Sequence, residues 1–388
     1  MILTKCAVCA TELGLSLGKK CGRCSTRYCG PECQKQHWEE GGHDKLCKKI
    51  KKAGGAEQYN ANKKYAEAVT VAAEACADDT KGQTCYICTQ ALHWKTKEGL
   101  VRGCSCRGTA GFAHVSCLAE QAKILMDEAE ANNLDWEAKN PRFRRWDTCS
   151  LCEQHYYGDV HCALGWGCWK TYLGRAETDQ LRGMAMSLLG NGLYEAGYQE
   201  DALSVREADL AMMRRIGDCE ENRLSVQGNL ANSYQIHGRY EEANCLWREA
   251  YSGRLKLGGE EHEHTLRSAN NYAISLVNLE RFEEAKALLR KTLPVAQRAL
   301  GDDQVTLRLR WVSARALSED PAATLDDLRG AVTTLEDTVR IARRVLGGTH
   351  PLTEHIELSL RTSREKLSAR DGSSLSEAFA AMTPSPRV

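Results

Sequence analysis

Nineteen cysteines, fifteen of them before position 153, constrain this 388-residue chain more than any other feature. Most come as C-x2-C or similar pairs, and beyond Cys219 only Cys245 remains. Pairs at that spacing grip one side of a tetrahedral metal ion, and two such pairs close a structural site. The first residues, MILTKCAVC, lack the apolar core of an export signal. The expected compartment is therefore cytoplasmic or nuclear, where paired cysteines more often bind metal than form disulfides. No apolar run approaches the ~20 residues that span a bilayer, so no membrane partner is expected. Lys+Arg and Asp+Glu balance at 52 each, which argues against nucleic acid as a partner. A cysteine-rich front and a cysteine-poor back read as different domains.

The first fifty residues contain CAVC, CGRC, YCGPEC and HDKLC. Their candidate ligands are Cys6, Cys9, Cys21, Cys24, Cys29, Cys33 and Cys47, with His43 four residues before Cys47. Eight ligands make two ions. A segment this short has too small a core to fold alone, and zinc supplies ~10–16 kcal/mol to comparable peptides. The spacing, the Tyr28-Cys29 step, Cys33-Gln34, Trp38 and the closing His43-x3-Cys47 resemble a MYND zinc finger over residues 6–47. That resemblance implies interleaved sites, with Cys6, Cys9, Cys29 and Cys33 on one ion and Cys21, Cys24, His43 and Cys47 on the other. It also implies binding of short, often proline-containing, peptides of partner proteins. His37 rivals His43 as a ligand, although the x3 spacing of His43 to Cys47 fits zinc geometry better. The basic run Lys48 to Lys52 reads as the solvated face of a helix. Residues 56–77 read as a further helix, with Cys76 unliganded.

From Cys85 the pattern continues as Cys85-x2-Cys88, Cys104-x-Cys106, His114-x2-Cys117 and Cys149-x2-Cys152. The single-residue gap at Cys104-Ser105-Cys106, the following Arg107-Gly108 and His as fifth ligand resemble the RING-CH (RING-variant) finger over about residues 82–157. The resemblance implies a cross-brace: Cys85, Cys88, His114 and Cys117 on one ion, Cys104, Cys106, Cys149 and Cys152 on the other. It also implies a ubiquitin-conjugating enzyme as partner, touched by Ile87, which lies between the first two ligands. Catalysis would then be by positioning. The step between Cys117 and Cys149 contains an expected helix with Leu118, Ala122, Leu125 and Ala129 on one face. His161, Cys162 and Cys168 leave a third metal site open beside a reading as buried packing residues.

From residue 180 the chain repeats itself. Tyr198, Tyr240 and Phe282 recur every 42 residues, in the contexts GYQEDA, GRYEEA and ERFEEA. A divergent fourth copy ends near Leu346, its helices separated by extra residues around Asp320-Pro321. Units of this size are helical hairpins that bury their apolar faces only by stacking. They resemble the tetratricopeptide repeats (TPR) of kinesin light chains, which implies a concave groove for a protein or peptide partner.

The expected fold class is small zinc-stabilised α+β fingers at the N-terminal end, then an all-α TPR-like solenoid. The expected organisation is a MYND finger at 1–50, a helical linker at 51–80, a RING-CH finger with a helical insertion at 81–175, repeats at 178–365 and a disordered tail at 366–388. Four Zn²⁺ ions are the expected cofactors. The function implied is that of a RING-type ubiquitin ligase whose MYND and TPR modules select the client. The rival is a non-enzymatic scaffold built from the same modules.

Overall fold

The computed structural model describes residues 5–11, 13, 18–348 and 350–382. The chain divides into two compact units, residues 1–219 and 220–388.

The first unit opens with a minimal ribbon. β1 (Lys19–Lys20) pairs antiparallel with β2 (Arg27–Tyr28), Lys19 opposite Tyr28. Two helices follow, α1 (Pro31–Glu39) and α2 (His43–Lys52). Pro31 takes the first helical position, where its missing N–H costs no bond. The local core is little more than Tyr28, Leu13, Ile50 and Ala56 packed around cysteines. Lys48, Lys49, Lys51 and Lys52 face solvent while Ile50 turns inward. α3 (Ala56–Ala75) covers the stretch expected as a helix, and Cys76 follows it.

Beyond α3 the chain is mostly loop until α4 (Val115–Ala131), held by the isolated bridge Val101–Ala113; a second, Thr148–His155, lies beyond α4. α4 buries Leu118, Ala122, Met126 and Ala129. Leu125, expected on that face, is only half-buried; Met126 takes its place because it lies on the side of Val115, Ala119 and Ala122, where the buried face is centred. After α5 (Trp136–Phe143) comes a 3-10 turn (Arg144–Trp146), then α6 (Gly158–Tyr172). α6 runs through the middle of the unit, with Val160 to Trp169 buried without a break. It packs closely on α7 (Gln180–Glu195). A Cβ on Gly192 would lie 2.9 Å from the Cys162 Cα, and one on Gly165 would lie 3.1 Å from the Leu189 Cα. Only glycine admits backbones this near to each other. α8 (Gln199–Ile216) completes the unit. One continuous core joins α3, α4, α6, α7 and α8, with members on both sides of residues 175–178.

The second unit holds three further hairpins and a last helix. They are α9 (Glu220–Ile236) with α10 (Tyr240–Gly258), α11 (Glu263–Asn278) with α12 (Phe282–Leu300), and α13 (Gln304–Ser318) with α14 (Leu325–Val345), before α15 (Pro351–Met382). The longer α13–α14 turn around Asp320-Pro321 ends in a capping box between Thr324 and Asp327.

The register of the repeats differs from the aromatic spacing. The N-caps of α8, α10 and α12 are Tyr198 (φ −80°, ψ 64°), Arg239 (−84°, 61°) and Arg281 (−85°, 57°). Each follows a left-handed residue, Gly197, Gly238 or Glu280. Each precedes a fully buried alanine, Ala202, Ala243 or Ala285. Tyr198 is therefore equivalent to Arg239, not to Tyr240, and the step from Tyr198 to Arg239 is 41 residues, against 42 from Arg239 to Arg281. The aromatics are not equivalent in packing: Tyr198 and Tyr240 are exposed, Phe282 buried, and the contexts GYQEDA and GRYEEA, aligned on their alanines, carry the observed register.

The last helix reaches into the stretch expected as a tail. α15 carries residues 366–382 as helix. Lys366 donates from Nζ to the Ser318 carbonyl at 2.9 Å, and Arg370 donates to the Ala323 and Pro321 carbonyls. These bonds tie the segment to the α13–α14 turn, a tether no composition rule registers. The expectation for 383–388 falls outside the described residues.

Candidate metal centres

Four C-x2-C turns in this chain share one backbone. In each, the residue after the second cysteine adopts a left-handed conformation: Ala10 (φ 56°), Ser25 (61°), Thr89 (61°) and Glu153 (57°). Its N–H donates to the carbonyl of the first cysteine, at 3.2 Å for Ala10 to Cys6, 2.9 Å for Ser25 to Cys21, 2.8 Å for Thr89 to Cys85 and 3.0 Å for Glu153 to Cys149. The N–H of each first cysteine donates in return to the carbonyl of the residue after that left-handed one, Thr11, Thr26, Gln90 or Gln154. A non-glycine residue pays roughly 1–2 kcal/mol for a left-handed conformation. Four such payments at one position point to a turn that another interaction enforces.

That interaction is the convergence of the thiols. Sixteen ligand atoms gather in four groups, each with all atoms within 4.8 Å of one another. The groups are Cys6, Cys9, Cys29 and Cys33; Cys21, Cys24, His43 and Cys47; Cys85, Cys88, His114 and Cys117; and Cys104, Cys106, Cys149 and Cys152. Sulfurs approach to 3.4 Å (Cys9–Cys29), 3.5 Å (Cys29–Cys33), 3.8 Å (Cys106–Cys149) and 3.9 Å (Cys21–Cys47). These are far too long for disulfides and near the ~3.8 Å edge of a tetrahedron with 2.3 Å Zn–S bonds. Crowding divides the thiol acidities. Hydrogen bonding from Thr11 holds the Cys9 thiol down to about 6, while the neighbouring Cys29 thiol pushes Cys33 up to about 12. Four soft donors around one point fit zinc, which keeps them deprotonated together.

The two histidines enter differently. His43 Nε2 lies 3.3 Å from Cys24 Sγ. Its rival His37 is engaged elsewhere, its Nδ1 3.1 Å from the Tyr28 hydroxyl. His114 turns Nδ1 inward, 3.3 Å from Cys88 Sγ and 3.6 Å from Cys117 Sγ. Its Nε2 meets the Ala91 carbonyl at 3.3 Å, the outer bond that sets tautomer and ring orientation at metal sites. Backbone N–H groups of Ile87 and Leu151 point at Cys85 Sγ and Cys149 Sγ, both at 3.4 Å.

His161, Cys162 and Cys168 are not brought into such a group. All three are buried on α6. His161 Nδ1 pairs with Glu195 Oε2 at 2.7 Å, and burial pushes the Cys162 thiol up to about 12. Cys162 and Cys168 pack the core, as does Cys76 at its edge.

Ile87 is half-buried against the core cluster. Sequence reasoning missed its counterpart. Leu151 stands between Cys149 and Cys152 as Ile87 stands between Cys85 and Cys88, and it is 51% exposed. The Tyr86 hydroxyl meets Ser150 Oγ at 3.0 Å, so the two metal turns lie side by side. An apolar residue inside the second C-x2-C was a readable signal; the Tyr86–Ser150 bond, across 64 residues, was not.

Residues 6–47 match the MYND finger family, residues 85–152 the RING-variant domain and residues 222–298 the tetratricopeptide repeat. The chain thus carries these three modules in that order. No curated protein matches it. Among solved structures it is similar to BtubC (BKLC) from P. vanneervenii, at 18% identity over 59% of this chain and 94% of that one, with a TM-score of 0.44. It is also similar to Podosopora anserina putative kinesin light chain TPR-like repeats, at 19% identity over 60% of this chain and 98% of that one, with a TM-score of 0.42.

Proposed function

We propose that this chain, with its MYND finger, RING-variant domain and TPR repeats, acts as a RING-type ubiquitin ligase. The RING-variant domain recruits a ubiquitin-conjugating enzyme, and the MYND finger and TPR groove hold the client. The observation that carries this reading is the joining of the two RING metal turns by Tyr86 and Ser150, which sets Ile87 and Leu151 on neighbouring loops. Two apolar side chains on backbones fixed by adjacent ligands make a rigid contact surface. Such a surface works by holding the thioester-linked ubiquitin in an attacking geometry, not by supplying a nucleophile. Cys162 and Cys168 supply none, since burial raises both thiols.

Four Zn²⁺ ions, one per group, serve the fold: each has four protein ligands, so none has an open position for substrate. Fourteen of the sixteen ligands are cysteines, which suits a reducing compartment, cytoplasmic or nuclear. The scaffold reading is favoured by two observations: Ile87 is half-buried, and Glu153 puts an anion after the last ligand, where RING ligases often carry a cation.

Autoubiquitination with a panel of conjugating enzymes separates the two. Ile87→Ala and Leu151→Ala should each abolish transfer with zinc content unchanged, since a buried apolar anchor is worth roughly 2 kcal/mol, about thirty-fold in affinity. Absence of transfer by the unaltered chain with every enzyme would leave the scaffold.

A further inference from the structure

α3, the helix between the two fingers, carries a surface that neither the metal sites nor the Ile87–Leu151 face uses. Ala66, Val69 and Ala73 form one wall of a groove of about 630 Å³, with residues 96–99 along the opposite side. A Cβ on Gly99 would stand 3.7 Å from that of Ala73, so loop and helix come within contact distance at the groove's edge. The volume lies within the range of ligand sites, roughly 300–1,000 Å³. The wall from Ala66 to Ala73 is two helical turns, about 10 Å long, which is longer than a single functional group and suits a short chain segment.

The chemistry inside is uneven. Lys170 places Nζ 3.5 Å from the centroid of the Tyr65 ring, which also lines the groove. Gln58 fixes its main chain, donating from Nε2 to the Lys170 carbonyl at 3.0 Å. Burial opposes the charge on this ammonium, and Glu98 and Glu120 favour it only at a distance. Glu98, across the groove, is fully engaged. Its Oε1 accepts from the Ser116 N–H at 2.7 Å, and its Oε2 accepts from the Ser116 hydroxyl at 2.7 Å and the Thr96 hydroxyl at 2.9 Å. Among the described residues no carboxylate stands within ion-pair distance of Lys170. Glu74 and Lys97 also line the groove but are exposed to solvent. Its partly dehydrated cation is Lys170, beside the small apolar wall of α3, and the close side-chain partner of that ammonium among the described residues is the Tyr65 ring face. A dehydrated charge without a counter-ion is costly and is compensated when a carboxylate arrives.

We infer that this groove docks a segment of a partner protein in which small apolar residues flank one acidic side chain, whose carboxylate pairs with Lys170. The segment lays its apolar residues against Ala66, Val69 and Ala73. This is a site separate from the conjugating-enzyme face, and it holds whether or not the chain transfers ubiquitin.

The test uses the full chain and an amide-capped random seven-residue peptide library, followed by affinity measurement on the enriched sequence by fluorescence anisotropy. Enriched peptides should share an acidic residue between apolar ones, and replacing that residue with its amide should weaken binding at least tenfold. Lys170→Met, which keeps the packing on Tyr65, should bind the acidic and amide peptides equally. Ala66→Trp alters an exposed position and should fill the groove and bind neither, with zinc content and Tm unchanged. Equal affinity of acidic and amide peptides for the unaltered chain would overturn the inference. So would enrichment that survives Ala66→Trp. If hexanoate alone bound as tightly as the peptide, the groove would be a small-molecule site and the partner assignment would fall.

Discussion

Gly111 offers the sharpest test of the second RING metal site. Its φ is +84°, and a Cβ there would lie 2.6 Å from the Cys106 Cβ, 3.0 Å from the Cys106 Sγ and 3.3 Å from the Cys104 Sγ. Non-bonded carbons settle at about 3.5–4.0 Å, so in Gly111→Ala the Cys106 side chain must retreat by about 1 Å. A zinc ligand tolerates displacements of about 0.2 Å. The left-handed backbone adds roughly 1–2 kcal/mol of its own. Gly108→Ala is the matched control: its φ is +62°, and nothing lies within 4 Å of its Cβ. It meets the backbone cost alone. Titrating both proteins with a chromogenic chelator while following released zinc should separate the terms. Gly111→Ala should give up one of four equivalents at least tenfold more readily than the unaltered chain, while Gly108→Ala should release zinc normally and lose only a few degrees of Tm. Identical release curves for the two variants would refute the proposed crowding at Cys106.

Other expectations follow from the same geometry. Glu280→Gly relieves a left-handed glutamate where the two preceding repeats have glycine, and should stabilise the chain by about 1 kcal/mol, read as a higher Tm. Ala243→Trp places a large ring at a fully buried helix crossing and should cost roughly 1–3 kcal/mol, lowering the helical melt without changing zinc content. Asp209 is buried beside Ser187, and burial raises its carboxyl to about 7. The folded state then holds a proton that the unfolded state has lost, so stability falls as pH rises from about 4 to about 7. Asp209→Asn should accordingly raise Tm more at pH 8 than at pH 6.

What the sequence made legible is what chain-local chemistry determines. A C-x2-C spacing specifies a turn of fixed hydrogen bonding, and all four such turns share it, down to the left-handed residue after the second cysteine. The two resemblances then imply how the turns pair, and the structure brings the same sixteen side chains together in those sets. The helical hairpins were legible from the recurring contexts GYQEDA, GRYEEA and ERFEEA, whose alanines, Ala202, Ala243 and Ala285, are fully buried. The losses were non-local. Nothing near Lys366 announces a bond to Ser318, and nothing near Tyr86 announces Ser150. The 42-residue aromatic spacing departs by one residue from the helix register at Tyr198, because a ring recurs there without a shared environment. Lys170 passed unnoticed because its importance lies in the Tyr65 ring, more than a hundred residues away in sequence.

The same distinction bears on how far each metal site reaches. His43 is the first residue of α2 and Cys47 lies one turn on; His114 is the N-cap of α4 and Cys117 lies in its first turn. Each closing pair therefore fixes where a helix begins. For α2 the consequence stays local, because its buried neighbours are the cysteines, Tyr28 and Ile50 of the finger itself. For α4 it does not. The face that starts at Cys117 continues through Leu118, Ala122 and Met126 into the core that also holds Ala185, Leu189, Ala202 and Val205 of α7 and α8. Sequence periodicity groups that hairpin with the repeats, but its packing groups it with the RING-variant domain. Loss of the Cys85–Cys117 site should therefore loosen α7 and α8 along with the finger. The cores within residues 220–388, built from separate residues such as Leu276, Leu289 and Leu335, have no metal in their packing. In Cys117→Ser, hydrogen exchange should accelerate through α7 and α8 and remain slow at α11 to α13.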